Sequence, residues 1–247
     1  MQQYFVKGEA ISPVTIEDKD TIKHMFQVMR LAKGDQVVLV FDDGVKRLAC
    51  VVNETEYRFE LLEDLPDQVE LPVEVTIACG FPKGDKLEFL AQKTTELGAS
   101  QLWAFPADWS VVKWDSKKLI KKVEKLQKIA LGAAEQSKRN RVPRVTLFTH
   151  QADFLATLDS FDCILIAYEE SAKEGERATL VQVLSSLSGG EKILLIFGPE
   201  GGLSPEEVAR FESKGGRRIG LGPRIMRAET APLYALTSVS ILRELME

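Results

Sequence analysis

Residues 193–207 read ILLIFGPEGGLSPEE, and this stretch decides the fold. The apolar run at 193–197 predicts a buried strand, and the glycines that follow it predict a turn. Ser204 suits a helix N-cap, Pro205 the first helical position, and Glu207 the reciprocal carboxylate of a capping box. The stretch therefore predicts a strand, a tight turn and a helix, in that order.

A second loop of the same kind lies downstream, where residues 221–231 read LGPRIMRAETA between an apolar strand and a predicted helix. Glycine has no Cβ atom, so its backbone adopts unusual dihedral angles and approaches a ligand closely. N–H and C=O groups of the loop then form hydrogen bonds with that ligand. Two such loops predict one small-molecule site whose ligand is recognised largely through backbone groups.

Strands and helices alternate through the C-terminal two thirds of the chain. Predicted strands cover residues 73–78, 101–105, 145–148, 163–167, 193–197 and 218–221. Predicted helices cover residues 86–97, 119–136 and 232–245. This alternation predicts a mostly parallel sheet covered by helices. Ligands of such sheets bind beyond the carboxyl ends of the strands, where both glycine loops would lie.

The N-terminal region is richer in β-structure. Two apolar runs, at 36–41 and 47–52, flank a Gly-containing turn and predict a β-hairpin. Residues 57–62 predict another strand, and residues 21–31 a short helix with Asp20 as its N-cap. This small module would end at the proline-containing segment 65–72.

Composition adds few limits. Of the 247 residues, 45% are apolar, and no apolar run reaches the roughly 18 residues that a membrane span needs. Residues 1–7 lack the features of a secretory signal, so we expect a cytoplasmic protein without a membrane partner. The three cysteines are widely separated, which indicates reduced thiols and no disulfide or metal site.

Charge is unevenly distributed along the chain. The formal net charge is -5, but residues 113–144 hold eleven Lys and Arg residues against three Asp and Glu residues. A basic segment on an acidic chain indicates an anionic partner. Six of its lysines lie on the helix predicted at 119–136 or just before it. A solvent-exposed helix surface explains these six lysines as well as an anionic partner does. The arginines at 139–144 favour RNA contact, because a guanidinium group binds phosphate in a bidentate manner.

The same predicted helix has apolar residues at helical spacing. They are Ile120, Val123, Leu126, Ile129 and Ala130. This pattern predicts that one face of the helix packs on the core while the lysines occupy the other.

Several further motifs occur in a fixed order with the two glycine loops. They are KTTELG at 93–98, SVVK at 110–113, AAEQS at 133–137 followed by Arg139, Arg141 and Pro143, and the N-terminal series His24, Val28-Met29-Arg30 and Gly34-Asp35. Together they resemble the SPOUT-class RNA methyltransferases, in particular the 16S ribosomal RNA (uracil-N3) methyltransferase family of the RsmE type. One departure is Trp109, where that family usually has an arginine.

The resemblance implies an architecture that pattern reasoning alone does not reach. It implies an α/β domain at 72–247 whose mostly parallel sheet ends in a C-terminal trefoil knot, preceded by a PUA-like β-barrel RNA-binding domain at 1–68. Knots are too rare to be expected from strand and helix patterns. It further implies S-adenosylmethionine as cofactor, small-subunit ribosomal RNA or the assembled 30S subunit as substrate, and a homodimer as the active form.

The resemblance also implies site residues. The cofactor-binding set is Ala167, Tyr168, Glu169, Phe197, Gly198, Pro199, Glu200, Gly201, Gly202, Leu221, Gly222, Ile225, Met226, Arg227, Thr230 and Ala231. The RNA-binding set is Lys23, His24, Arg30, Lys113, Lys138, Arg139, Arg141 and Arg144. Arg227 is the first catalytic prediction. Glu200 and Glu229 either accept the N3 proton or hold their loops in shape.

Two other classes of function stay open at this stage. A non-catalytic RNA-binding protein would use the β-rich module and the basic segment but leave the glycine loops without a ligand. An α/β enzyme that uses a nucleotide and acts on a small molecule would leave the charge asymmetry unexplained. A methyltransferase of the same class that acts on another RNA is a third alternative.

Overall fold

The computed structural model describes residues 1–168 and 179–246, and the chain forms two compact units. The first unit combines Met1–Glu70 with Ala134–Arg141, and the second combines Leu71–Ala133 with Val142–Glu247. The segment 134–141 was not part of the N-terminal module in the sequence analysis. Within the described residues, no helix has both the length and the apolar character required to cross a bilayer.

The first unit is built on a five-stranded sheet with the order β1-β3-β4-β5-β2. Its strands are β1 (Gln3–Phe5), β2 (Val14–Thr15), β3 (Gln36–Val40), β4 (Lys46–Asn53) and β5 (Arg58–Leu65). The antiparallel pairing of β3 with β4 confirms the predicted hairpin, and Gly44 in its turn has φ +72°. Tyr4, Met25 and Phe59 form part of its buried core.

A short helix precedes β3. Helix α1 covers Lys19–Ile22 and continues as a π-helical segment at Lys23–Val28. The predicted N-cap at Asp20 was wrong, because Asp18 caps the helix by accepting the N–H of Thr21 at 2.8 Å. Asp20 lies inside the first turn, where its negative charge is favourable to the helix dipole.

The second unit contains a six-stranded sheet with the order β11-β9-β10-β6-β7-β8. Its strands are β6 (Glu74–Gly80), β7 (Gln101–Phe105), β8 (Arg144–Leu147), β9 (Cys163–Ala167), β10 (Lys192–Phe197) and β11 (Arg217–Ile219). Every neighbouring pair is parallel, which confirms the predicted type of sheet.

Helices cover both faces of this sheet. They are α2 (Lys86–Glu96), α3 (Ser116–Gln136), α4 (Gln151–Thr157), α5 (Thr179–Ser186), α6 (Pro205–Glu212) and α7 (Ala231–Ser240), with a 3-10 turn at Leu158–Ser160 and a π-helical end at Ile241–Leu245. One core packs β-sheet residues such as Ile77 against α2, α3, α5 and α7. The other packs residues such as Ile196 against α4 and α6. The unit therefore has three layers.

One side chain of α3 departs from the predicted apolar face. Ile120 is 61% exposed, whereas Leu119 is 4% exposed and packs in the core. The predicted face was otherwise correct at Leu126 and Ala130. Helix α3 begins at Ser116, which is earlier than predicted. The carboxylate of Asp115, the residue before the helix, accepts the N–H of Lys118 at 2.8 Å.

Candidate active site

Four neighbouring strands bring their carboxyl ends to one edge of the second unit's sheet. The register pairs Ile219 with Ala167 and Phe197 with Cys79, and β9 and β10 pair between them. The first glycine loop follows β10, the second follows β11, and Tyr168 follows β9. Glu169, which the resemblance implies as a cofactor contact, lies outside the described residues. Both predicted loops thus occupy the edge at which ligands of such sheets bind.

The first glycine loop is tightly folded. A Cβ atom added at Gly198 would lie 2.4 Å from the carbonyl carbon of Gly202 and 2.7 Å from the nitrogen of Leu203. Gly202 has φ +82°, a conformation that other residues rarely adopt. Its N–H donates to the carbonyl of Pro199 at 2.9 Å. Glycine is therefore required at 198 and 202 by the shape of the loop itself.

The helix after this loop begins with the predicted capping box. Ser204 Oγ accepts the N–H of Glu207 at 3.0 Å, and Glu207 Oε2 accepts the N–H of Ser204 at 3.0 Å. Glu207 is fully buried, and burial raises its pKa above the ordinary value. The turn and the start of α6 are consequently fixed together.

A further loop, following β7, lies against the first glycine loop. The N–H of Asp108 donates to Glu207 Oε1 at 2.9 Å, and Ser204 Oγ donates to Asp108 Oδ2 at 2.7 Å. The next residue is Trp109, whose Cβ would be 3.2 Å from a Cβ added at Gly201. Trp109 is 49% exposed. An aromatic ring is therefore held beside the glycine loop while remaining accessible.

The second glycine loop is more exposed. Gly222 has φ +93°, and Ile225 is 78% exposed. The carbonyl of Arg227 accepts the N–H groups of Thr230 and Ala231 at 2.9 and 3.0 Å, which connects the loop to α7. The side chain of Arg227 is exposed.

Lys86 joins the two glycine loops. Its Nζ lies 2.9 Å from Oε1 of Glu200 in the first loop and 3.1 Å from Oε2 of Glu229 in the second. The N–H of Lys83 also donates to Glu200 Oε1 at 3.0 Å. Sequence reasoning missed Lys86. A usable signal was present in the run GFPKGDK at 80–86, a third glycine-containing connection between a strand and a helix.

These ion pairs set the protonation of the three groups. The hydrogen bond to Glu200, with a further contribution from Glu229, raises the pKa of Lys86. Burial would raise the pKa of Glu200, but the hydrogen bonds from Lys86 and the backbone outweigh it and lower the pKa. The pKa of Glu229 is lowered in the same way, against burial, by its own backbone N–H, Lys86 and Arg227. All three groups are therefore charged at neutral pH.

The predicted RNA-binding residues lie in both units. In the first unit, Lys23, His24, Arg30 and Arg141 are exposed. The ammonium of Lys138 in that unit donates to the carbonyl of Met1 at 2.9 Å. In the second unit, both predicted residues are exposed, namely Lys113 and Arg144.

Arg139 differs from the other predicted RNA contacts. Its side chain is 2% exposed and is paired with the carboxylate of Glu70, with 3.1 Å between Nε and Oε1. Its carbonyl accepts the side-chain amide of Gln3 at 2.7 Å. Because a buried guanidinium needs a carboxylate partner, this residue serves the first unit's interior and is not available to RNA.

Two family models match the chain. The model of the RNA methyltransferase domain matches residues 69–240, and that of the RNA methyltransferase PUA domain matches residues 16–62. A Bacillus subtilis protein named ribosomal RNA small subunit methyltransferase E is 43% identical over 255 aligned residues, which cover 100% of this chain and 98% of that protein.

Solved structures share the fold. A Legionella pneumophila protein in complex with the bound cofactor SAM is 26% identical, with a TM-score of 0.81 and 96% of each chain covered. A ribosomal RNA small subunit methyltransferase E from Neisseria gonorrhoeae, bound to S-adenosyl methionine, is 24% identical, with a TM-score of 0.81 and 98% of each chain covered. The latter similarity concerns the fold alone.

Proposed function

This chain belongs to the RNA methyltransferase family, and from that premise we propose that it transfers a methyl group from S-adenosylmethionine to N3 of a uridine in 16S small-subunit ribosomal RNA. The observation that carries the proposal is the meeting of two glycine loops at the carboxyl edge of a parallel sheet, where Lys86 joins them. The names of the Bacillus and Legionella proteins support the substrate class and the cofactor.

The loops fit S-adenosylmethionine. Gly198 and Gly202 keep the first loop compact, and the positive φ of Gly222 turns the second loop without a side chain in the way. Both loops can therefore offer backbone groups to a ligand. When bound, the cofactor supplies a sulfonium-activated methyl group. The residues proposed to hold it, largely through their backbone groups, are Ala167, Tyr168, Phe197, Gly198, Pro199, Glu200, Gly201, Gly202, Leu221, Gly222, Ile225, Met226, Arg227, Thr230 and Ala231.

The chemistry requires an accessible base edge. Uracil N3 lies on the Watson–Crick edge and carries a proton, so the uridine must be unpaired or flipped before the reaction. Arg227 is exposed on the second loop, and its guanidinium can stabilise negative charge that develops on the uracil carbonyls. We therefore assign the catalytic contact on the RNA side to Arg227.

The carboxylates near the loops have a different role in this proposal. Glu200 and Glu229 are both paired with Lys86, and the pKa of each is lowered. A carboxylate that holds a proton so weakly is a poor general base at neutral pH. Of the two predicted roles, we assign to both residues that of holding their loops in shape.

RNA binding is proposed to involve both domains, with residues 1–68 as the RNA-binding domain and 72–247 as the methyltransferase domain. The PUA model at 16–62 supports the first assignment. Exposed basic side chains can neutralise phosphates in each unit. The contacts proposed are the exposed Lys23, His24, Arg30 and Arg141 with the half-buried Lys138 in the first unit, and the exposed Lys113 and Arg144 in the second.

The trefoil knot is part of the proposal. Helix α7 follows the edge strand β11, yet it packs against β10 and α2 further inside the unit. This return of the C-terminal segment from the edge of the sheet toward its middle supports a knotted connection.

A homodimer in the cytoplasm is proposed from the resemblance. Leu236 and Val239 of α7 are buried in the core, so their side chains are not available for an interface between two copies. Tyr234 and Ile241 are 42% and 44% exposed, and they support an apolar contact between two copies. The assembled 30S subunit or its RNA is the proposed substrate partner.

Methyl transfer from tritium-labelled S-adenosylmethionine tests the proposal. Small subunits and naked 16S RNA, both from cells that lack the modification, are each incubated with the protein. We expect label in the RNA of at least one substrate, and loss of that label as the salt concentration rises. Absence of label in both, with measurable cofactor binding, would contradict the proposed substrate. Absence of cofactor binding would contradict the whole assignment.

A further inference from the structure

We infer that Lys86 is a positioning residue of the cofactor site, in which a single ammonium group holds the two glycine loops together. The inference rests on the proposed function, because it gives the loops their role as the cofactor site. It concerns the shape of the site and assigns no contact between Lys86 and the reacting atoms.

Glu200 and Glu229 belong to loops that follow β10 and β11, strands that are separated in the sheet by β9. Lys86 comes from a third connection, after β6, and its Nζ lies 2.9 and 3.1 Å from the two carboxylates. One side chain therefore ties three connections at the same edge of the sheet.

The charges of Lys86 and its two carboxylate partners are partly shielded from water. The side chains of Lys86, Glu200 and Glu229 are 26%, 30% and 20% exposed. Ion pairs shielded from water in this way interact more strongly than fully exposed pairs, which contribute little. Glu229 Oε2 is buried and accepts no hydrogen bond of normal geometry within the described residues. Removal of Lys86 would take away the ammonium group that balances the negative charge of this oxygen. Arg227 also stabilises that charge, but only through its own charge and not through a hydrogen bond.

Lys86 occupies an unfavourable position on its helix. It is the first residue of α2, and the N-terminus of a helix carries partial positive charge, which disfavours a cation. A lysine in that position is unfavourable locally and needs compensation from elsewhere. The two carboxylates provide it. The helix itself is a firm support, because Leu87, Leu90 and Ala91 are buried and α2 packs against α7.

Without Lys86, two carboxylates would face each other with no cation between them. Like charges in partly buried surroundings repel, so the loops would separate or one carboxylate would take up a proton. Either change alters the shape of the edge at which the cofactor is proposed to bind. The effect should depend on charge, and a variant that removes one of the carboxylates should relieve it.

Isothermal titration with S-adenosylmethionine and hydrogen exchange of the free protein test the inference on the full chain. We expect Lys86→Met to weaken the affinity about tenfold, which corresponds to about 1.4 kcal/mol, and to speed amide exchange in both glycine loops. Lys86→Arg should retain most of the affinity, because it keeps the charge. Lys86→Met combined with Glu229→Gln should recover part of the loss, because the repulsion is gone.

Lys93→Met is the matched control, since Lys93 lies on the same helix and its ion pair with Glu96, at 2.8 Å, does not involve either loop. It should leave affinity and loop exchange unchanged. If Lys86→Met behaves like this control in both measurements, the inference is wrong. A scaffold role unrelated to charge is indicated if Lys86→Arg loses as much as Lys86→Met, and that result also overturns it. If the wild type fails to bind cofactor, the proposed function fails, while loop exchange still decides the role of Lys86.

Discussion

Glu207 accepts the backbone N–H of Asp108, with 2.9 Å between Asp108 N and Glu207 Oε1. The two residues are 99 positions apart in sequence, and the bond joins the loop after β7 to the first turn of α6. Because the other oxygen of Glu207 caps its own helix, one buried carboxylate fixes both the first glycine loop and the loop that carries Trp109.

Glu207→Gln should lower the free energy of unfolding by about 1–3 kcal/mol, because an amide offers one acceptor oxygen where the carboxylate offers two, and a buried N–H loses its partner. Chemical denaturation measures the change. Glu206→Gln is the control, since that residue is exposed in the same turn, and it should alter stability by no more than about 0.5 kcal/mol. Equal stability of both variants would show that the second acceptor is unimportant.

Arg139 and Arg141 are close in sequence but should respond in opposite ways. Arg139→Ala leaves the half-buried carboxylate of Glu70 without its guanidinium partner and should reduce the free energy of unfolding by about 3–5 kcal/mol. Arg141→Ala changes an exposed side chain and should leave stability nearly unchanged while weakening RNA binding. Denaturation and RNA titration are compared for the two variants. A stable Arg139→Ala protein with weakened RNA binding would contradict the structural role of Arg139.

Glu135 makes the stability of the protein depend on pH. Burial raises its pKa from an ordinary value of 4.5 to about 7, although the backbone of Phe5 and the charge of Lys138 act against the rise. The folded state therefore holds the proton more tightly than the unfolded state. The protonated Glu135 therefore contributes fully to the free energy of unfolding below about pH 4.5, and this contribution is lost as the pH rises through about 7.

Glu135→Gln should remove this pH dependence. The Tm of the variant minus that of the wild type should increase between pH 5 and pH 8, measured by thermal unfolding. Glu124→Gln, at an exposed position of the same helix, provides the comparison and should give a difference that is constant with pH. A constant difference for Glu135→Gln as well would show that this carboxyl group does not titrate as described.

Arg227→Ala should abolish methyl transfer while leaving the affinity for S-adenosylmethionine nearly unchanged, because the guanidinium is proposed to act on the RNA side of the site. A loss of about 100-fold or more in kcat is expected from removal of one group that stabilises developing charge. Arg224→Ala, on the same exposed loop, should lose far less. Equal loss of affinity and rate in Arg227→Ala would make Arg227 a residue of the loop scaffold.

Local signals predicted a large part of the fold. The capping box of Ser204 and Glu207 was correct, because its residues are three apart and each side chain bonds the backbone N–H of the other. The strands of the second unit were predicted within a few residues, since apolar runs bounded by glycine and proline are local patterns. The two glycine loops were found in the same way, and their sites of attachment at the sheet edge followed from the parallel topology.

Pairings between distant residues could not be predicted. Lys86 contacts carboxylates more than 110 positions away, and the glycine-containing run around it does not show which residues it would contact. Arg139 lies in a run of basic residues that is typical of a surface, and only the position of Glu70 explains its burial. The position of β9 between β10 and β11 likewise depends on the path of the whole chain, since strand order is a property of tertiary packing.

The methyl group is proposed to be placed on N3 of a uridine in small-subunit ribosomal RNA. Unmodified 30S subunits and naked 16S RNA are treated with the protein and labelled S-adenosylmethionine, and the RNA is digested to nucleosides for mass spectrometry. We predict that the label is recovered as 3-methyluridine. Recovery of the label in any other methylated nucleoside would contradict the claim.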